Sequence, residues 1–500
     1  MTTFAPREIG QRIPGSPHSV SCSLPTMADV IGYEEKDPAT LGRMQAGYPR
    51  FFIHPFIERL RRTLARTVPC PAWTLWPVAS ERAARRLSAH LGGAEEWWFP
   101  REQIWAVVHR ESESLATRAR LFLQNTGGLL GSRAAEDALE RIGEIAEAAP
   151  EALRTADARA EVQRVLHGAF PGTCNDDRLL AASGMSAVHA AFAAINRVQS
   201  PRGRTAWVQL GWLYLDTIAL LQKFTADPKR DHLRLTDVRD LGALENLLQR
   251  EGRRVAGLML EAPTNPLVQT PDVAAVAALA RRHGVRVVID PAIASPLNLE
   301  VLPHADIVAC SLTKYTAHEG DVLAGVAVVN PRGPDADALR AALPELIEPP
   351  YGRDLARLAA QIGEAPEVLA RIGANTRGVA EWLGEHPRVR RVWWGGQRET
   401  AEALRKIART EAPWGGVVSF VLNDDFQPFY DAVNLAKGPS FGMGTTLLCP
   451  YVYLAHYDLI GTPAGRAVLA ANQLEPGLLR LSVGTEPVEE IIAELERALG

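Results

Sequence analysis

From about residue 183 onward, short apolar runs alternate with amphipathic helical stretches, and this alternation constrains the fold more than any other feature of the chain. The runs Thr205–Leu210, Val255–Leu260, Val285–Ile289, Asp306–Cys310 and Leu323–Val329 have the length and side-chain branching of buried strands. Between them, Asp272–His283 carries apolar residues at i, i+3 and i+4 spacing. Strand and helix in alternation give an α/β fold, a mostly parallel sheet with helices on its faces. Ligands of such sheets bind beyond the carboxyl ends of the strands. A Pro- and Leu-rich break is expected near 333–366. A smaller α/β domain then follows, with a helix at Thr376–His386, strands at Val389–Trp394, Val417–Leu422 and Leu478–Val483, and a closing helix at Val488–Leu499.

Upstream, residues 1–68 read as an extended arm rich in Pro and Gly that ends in a helix near Phe56–Arg66. Residues 69–180 read as Trp-rich loops alternating with polar helices, among them Glu136–Ala148 and Glu161–His167. The expected domains are therefore 1–68, 69–365 (with 69–180 as an added segment) and 366–500. With 47% apolar and 22% charged residues, the 500-residue chain can fill a large core. A formal charge of −4 provides no basic surface for nucleic acid. No apolar run is long enough to cross a bilayer, and the first residues lack the apolar stretch of a signal peptide, so no membrane partner and a cytoplasmic location are expected. Cys22, Cys70, Cys174, Cys310 and Cys449 are too scattered for a disulfide framework or a zinc site, and no metal is expected. Only six of the 54 basic residues are lysines, so a lysine in an interior-looking segment stands out.

Two strand ends carry charge. Asp290 closes the run Val285-Arg-Val-Val-Ile, and Lys314 lies just past Asp306-Ile-Val-Ala-Cys, with Ser311 and Thr313 beside it. A buried carboxylate needs a cation. An Asp–Lys ion pair meets that need. So does pyridoxal phosphate, with a lysine on its aldehyde carbon, an aspartate on its ring nitrogen and hydroxyls on its phosphate. Ser183-Gly-Met-Ser186 stands before the helix 187–198, where free N–H groups suit an anion, or where Ser183 is simply an N-cap. Asn265 follows a third strand, in a Pro-rich turn. Tyr214 follows a fourth, placed to stack on a planar ligand or to fill core.

Taken together, the motifs SGM (183–185), EAPTNP (261–266), VVID (287–290), SLTKY (311–315) and LLRLSVGTEPVEE (478–490) resemble the Cys/Met-metabolism pyridoxal-phosphate enzymes, the cystathionine γ-synthase family. HSVSCSLPT (18–26), GYPRFFIHP (47–55), LQNTGGLLGSRAAE (123–136) and AKGPSFGMGTTLLCPYVYLAHY (436–457) resemble its longer, fungal-type branch. The resemblance implies the fold-type I, aspartate aminotransferase-like architecture and pyridoxal 5'-phosphate as cofactor. It implies Lys314 as the cofactor-binding lysine and proton shuttle. Asp290 would sit on the ring nitrogen. Tyr214, at the place of the family's Tyr-Gly-Gly-Thr tyrosine, would stack on the ring and assist proton transfers. Gly184, Met185, Ser311 and Thr313 would hold the phosphate, with Tyr48 and Arg50 reaching in from a neighbouring subunit. Arg480 and Ser440 would hold the substrate α-carboxylate, with Asn265 near both cofactor and substrate. The assembly implied is a homodimer or a dimer of dimers with shared sites.

The implied activity is γ-replacement, with an O-acyl-homoserine as donor and a thiol nucleophile as acceptor, through a vinylglycine-type intermediate. The alternatives are γ-elimination from S-adenosylmethionine followed by C–C bond formation, a γ-lyase, and a non-catalytic paralogue. The chain departs from the family pattern at Pro291, at Tyr315-Thr-Ala-His318-Glu319-Gly-Asp321 and at Phe441-Gly-Met443-Gly-Thr-Thr446, positions expected to flank the substrate. Trp97–Trp98 and Trp393–Trp394 are read as packing residues, with an aromatic ligand site as the alternative.

Overall fold

The computed structural model describes residues 4–68 and 72–500; Cys70 lies outside them. A seven-stranded sheet runs in the order Arg178–Ala181, Gly325–Val329, Ile307–Ser311, Arg286–Asp290, Val255–Glu261, Ala206–Leu210, His232–Leu235. The last five strands in that order are mutually parallel, and Gly325–Val329 runs antiparallel to both its neighbours. Every residue of Val255–Glu261 is buried, as expected of a strand covered on both faces. The amphipathic helix Val273–Arg282 packs on that sheet, and Asp272 caps it by accepting from Ala275 N at 3.0 Å. The edge strands Arg178–Ala181 and His232–Leu235 are too short and too polar to stand out as apolar runs.

The smaller domain holds a five-stranded sheet in the order Val389–Trp393, Val417–Leu422, Leu479–Ser482, Leu447–Pro450, Ala436–Lys437. Its leading helix is longer than expected, Ala365–Glu385, because Pro366 sits in the first turn, where a proline is tolerated. The expected break at 333–366 is largely helical: Ala336–Leu346 and Gly352–Gln361 flank Pro349-Pro350.

The segment read as Trp-rich loops contains a three-stranded antiparallel sheet, with Ile104–Arg110 between Trp73–Val78 and Glu95–Phe99. Pro77 obscures the first strand in the sequence. An edge strand accepts a proline because its outer N–H needs no partner. The helices Pro55–Ala65 and Ser132–Arg141 share one core with this sheet, and Glu81–His90 and Glu113–Thr126 share another. The helix after the arm thus belongs with the added segment. Trp98 packs tilted against Trp105, with ring centroids 5.3 Å apart, and Trp394 packs edge-on against Trp414. Neither tryptophan pair lines the cavity described below. The arm itself contains the helix Met27–Glu34, and its Leu24, Val30 and Tyr33 join the core of the smaller domain. No helix among the described residues is long and apolar enough to cross a membrane.

Candidate active site

A cavity of about 650 Å³ opens at the carboxyl ends of the parallel strands. Adjacent strand ends bring Asp290 opposite Glu261, and Ser311 closes the next strand. Asp290 accepts from Ala292 N at 2.9 Å. Burial pushes its carboxyl up to about 7. Glu261 accepts from Tyr214 N and from Asn265 N, the latter at 3.1 Å, so one carboxylate orients two cavity loops. Burial, reinforced by Asp290, holds Glu261 well above the usual carboxylate range.

Lys314 and Asp290 line the same cavity without pairing, which removes the ion-pair alternative. Lys314 Nζ donates to Ser440 Oγ at 2.6 Å and lies 4.6 Å from the Tyr48 ring centroid and 4.7 Å from that of Phe441. Burial, then the neighbouring Arg480 and Arg50, hold the amine well below its usual value, which favours its neutral, nucleophilic form. The loop that presents Ser440 is tightly turned: Ser440 has φ +89° and Gly442 φ +74°. Tyr315 N donates to Gly442 O at 2.6 Å and Gly442 N donates to Ser482 Oγ at 2.8 Å, so the loop is fastened to the lysine's own segment.

Gly184 starts the helix Gly184–Gln199, capped by Ser183, whose hydroxyl accepts from Ser186 N at 3.2 Å. A Cβ at Gly184 would meet Ser311 Cβ at 2.8 Å, so only glycine lets this helix start approach the strand end. The amides of Gly184 and Met185, in the first turn, have no intrahelical acceptor. Thr313 departs from the expectation. It does not line the cavity, and its hydroxyl accepts from Ala324 N at 3.1 Å.

Tyr48 and Arg50 also differ from the expectation of a neighbouring subunit, because both line the cavity of their own chain. The Arg50 guanidinium donates to the Tyr214 hydroxyl, and its Nε lies 3.2 Å from Asp216 Oδ2. Asp216, fully buried, also accepts from Gln124 Nε2 at 2.6 Å. Asp216, in Tyr214-Leu-Asp-Thr217, thus anchors the arm arginine. Gln124 comes from the added segment, whose helix also brings Arg120 and Leu121 to the wall. Arg480 Nη1 donates to Asn265 Oδ1 at 3.0 Å and Nη2 to Ser440 O at 2.9 Å. Its guanidinium carbon lies 5.2 Å from the Phe441 centroid and 5.1 Å from that of Tyr451.

Glu261, Gln124 and Tyr451 stand within the motifs that carry the resemblance but without an assigned role, and Asp216 lies outside those motifs. A second acid at a strand end was the available signal for Glu261. Of the residues that depart from the family pattern, Phe441 lines the cavity, whereas Pro291, His318, Asp321 and Met443 do not. Asp321 accepts from Arg357 Nε at 2.9 Å and His318 Nε2 sits 3.3 Å from Gln361 O, so these two serve packing.

The donor set fits pyridoxal phosphate. A buried amine shifted toward its neutral form, a buried acid lacking a cation, a helix start crowded against Ser311 and an arginine that meets only neutral oxygens match an aldehyde, a ring nitrogen, a phosphate and a carboxylate. A family model described as Cys/Met metabolism PLP-dependent enzyme matches residues 173–500. The L-2-amino-4-chloropent-4-enoate dechlorinase/desaturase of Streptantibioticus cattleyicolor is 40% identical, over 97% of this chain and 96% of its own length. The cystathionine gamma-synthase of Neurospora crassa is 32% identical, over 65% of this chain and 52% of its own. Among solved structures, the cystathionine gamma-lyase from Lactobacillus plantarum complexed with L-serine superimposes with a TM-score of 0.56 at 25% identity, covering 69% of this chain and 87% of that one.

Proposed function

Because the chain belongs to the Cys/Met metabolism PLP-dependent enzyme family, we propose that it eliminates chloride from Cγ of a small L-amino acid and leaves the carbon skeleton one degree more unsaturated. The leaving group is taken from the full-length similarity to the dechlorinase/desaturase. The observation that carries the reaction class is the placement of Lys314, a buried amine that Ser440 aims between two aromatic faces and that burial shifts toward its neutral form. Such an amine can take and return protons at adjacent carbons without leaving the cavity.

In this reading Gly184, Met185 and Ser311 hold the cofactor's phosphate, joined by Tyr48 and Arg50 of the same chain. Asp290 would pair the ring nitrogen, Tyr214 would stack on the ring, and Asn265 would stand on the phenolic-oxygen side. When bound, pyridoxal phosphate stores the electrons released as the substrate loses protons. Arg480 fixes the α-carboxylate by a planar fork. Lys314 Nζ removes the Cα proton and hands it to the bound group, which would store it; neutral again, Nζ removes a Cβ proton, and Ser440 Oγ keeps the amine aimed between transfers. Chloride leaves Cγ with the bonding pair, and the Cα proton returns from Lys314. The net loss is one proton and one chloride, so no oxidant is needed.

Incubation with L-2-amino-4-chloropent-4-enoate is expected to release chloride at a rate independent of added cysteine. Chloride-free product formation from an O-acyl-homoserine and cysteine, with the chloroalkenyl substrate inert, would replace this reading with thiol γ-replacement. That second reading is favoured by the similarity to the Neurospora cystathionine gamma-synthase.

A further inference from the structure

We propose that the hydroxyl of Tyr451 is a second donor to the substrate α-carboxylate, acting beside Arg480. Tyr451 lines the cavity and is 3% exposed, yet its hydroxyl has no hydrogen-bond partner. The nearby indole N–H of Trp212 is itself a donor and is given to His456 Nε2 at 3.1 Å, so it leaves the phenol proton without an acceptor. Arg480 is in the same condition. Its two Nη atoms are taken by neutral oxygens of Asn265 and Ser440, whereas its buried Nε is unpartnered. The Tyr451 ring lies 5.1 Å from the Arg480 guanidinium carbon, so the two orphaned donors belong to side chains in contact.

A buried donor left unpaired is unfavourable, and two of them side by side select a ligand with two acceptor atoms. A carboxylate has two oxygens and a charge that complements the guanidinium. A carbon-bound chlorine or an ester oxygen at the far end of the substrate is a single, weak acceptor. The tyrosine follows Pro450 at the start of the helix Tyr451–Ala455, next to the strand paired with Leu479–Ser482, so both donors are held by one sheet. The proposal rests on the reading of Arg480 as the carboxylate residue.

Tyr451→Phe tests it, because the ring that stacks on Arg480 is kept and only the hydroxyl is lost. The probe is L-alanine, which has the α-carboxylate and no γ leaving group, titrated into the loaded enzyme and followed by the cofactor's absorbance. Ethylamine, the same amine without the carboxylate, is the control. The variant is expected to bind L-alanine roughly 10- to 100-fold more weakly, the scale of a hydrogen bond to a charged group, and ethylamine as the wild type does. Tyr451→His, which restores a ring donor, is expected to recover part of the loss and gives a second reading if the phenylalanine variant folds poorly. Unchanged L-alanine affinity, or equal weakening for ethylamine, would overturn the proposal. So would a variant that binds L-alanine normally but loses chloride release, which would put the hydroxyl on the leaving group. Failure of the γ-elimination reading looks different: no chloride from the wild type, with normal L-alanine binding.

Discussion

Two clusters of buried charge in this chain are built on opposite plans. At the carboxyl edge of the parallel sheet, Lys314, Asp290 and Glu261 meet hydroxyl and amide groups instead of opposite charges. Burial drives each toward its neutral form. Where the added segment joins the large domain, charges are interleaved. Arg133 binds Glu151 at 2.7 Å and Asp354 at 2.9 Å, Arg353 binds Glu136 at 2.7 Å and Glu151 at 2.6 Å, and Arg357 binds Asp321 at 2.9 Å. Burial alone would raise the Glu136 carboxyl, but hydrogen bonds from His18, Ala149 N and Arg353 bring it down to about 2. The first cluster spends stability to keep reactive groups neutral, and the second is charge satisfied within the chain. Breaking the first should remove chemistry with little loss of stability, and breaking the second should do the reverse.

The largest expected effect is that of Lys314→Ala. Turnover should fall by ~10⁴-fold or more, since one amine moves every proton. The melting temperature should hold or rise, because an unpaired buried amine is gone. A melting temperature that drops with activity would merge the two clusters into one. Asp290→Asn comes next, with an expected fall of ~10²–10⁴ in rate at retained cofactor absorbance. Normal turnover in that variant would remove Asp290 from the chemistry.

Arg133→Met attacks the other cluster. Removing one member strands buried carboxylates, and denaturant titration should show a loss of about 3–5 kcal/mol. The activity of the folded fraction should be unchanged, and a rate defect at equal folding would show that the network reaches the site.

A smaller expected signal comes from mixing Arg50→Ala with Lys314→Ala subunits under confirmed subunit exchange. With Arg50 and Lys314 in the cavity of one chain, no activity should return. Partial recovery would mean that the arm crosses between subunits.

The smallest effect concerns pH. In the cofactor-free protein Asp290 holds its proton up to about 7, against ~3.9 when unfolded, so stability should fall as pH rises from about 4 to 7. Glu136 behaves in the opposite sense. Its contribution is present above ~4.3 and is lost as pH falls toward about 2. Asp290→Asn should flatten the upper limb alone, as read by denaturation midpoints across pH 4–7.

Much of the first cluster was legible in the sequence, and little of the second. Asp290, Lys314 and Ser311 announce themselves because an apolar strand ending in a polar residue points that residue at one edge of the sheet. Phe441 and Gln124 stood in quoted motifs, but a loop folding back over 126 residues to meet Lys314 leaves no periodic trace. Arg133, Glu136, Arg353, Asp354 and Arg357 lie on helices with ordinary polar spacing, and Glu151 and Asp321 lie in loops, so each reads as surface until the segments converge. Thr313 shows the reverse case. Its spacing from Lys314 suits a phosphate ligand, but the local turn directs its hydroxyl to the Ala324 backbone. The Trp-rich strands were hidden by Pro77, which only an edge strand can accommodate.

The central claim is that the strand-edge cavity holds the cofactor on Lys314. Borohydride reduction of the loaded protein followed by peptide mapping tests it directly. The chain has six lysines, and Lys36 also lines the cavity, at the arm helix. The account predicts a single cofactor-bearing peptide containing Ser311-Leu-Thr-Lys314, absent in Lys314→Ala. A cofactor-bearing peptide at Lys36 or at any other lysine would contradict it.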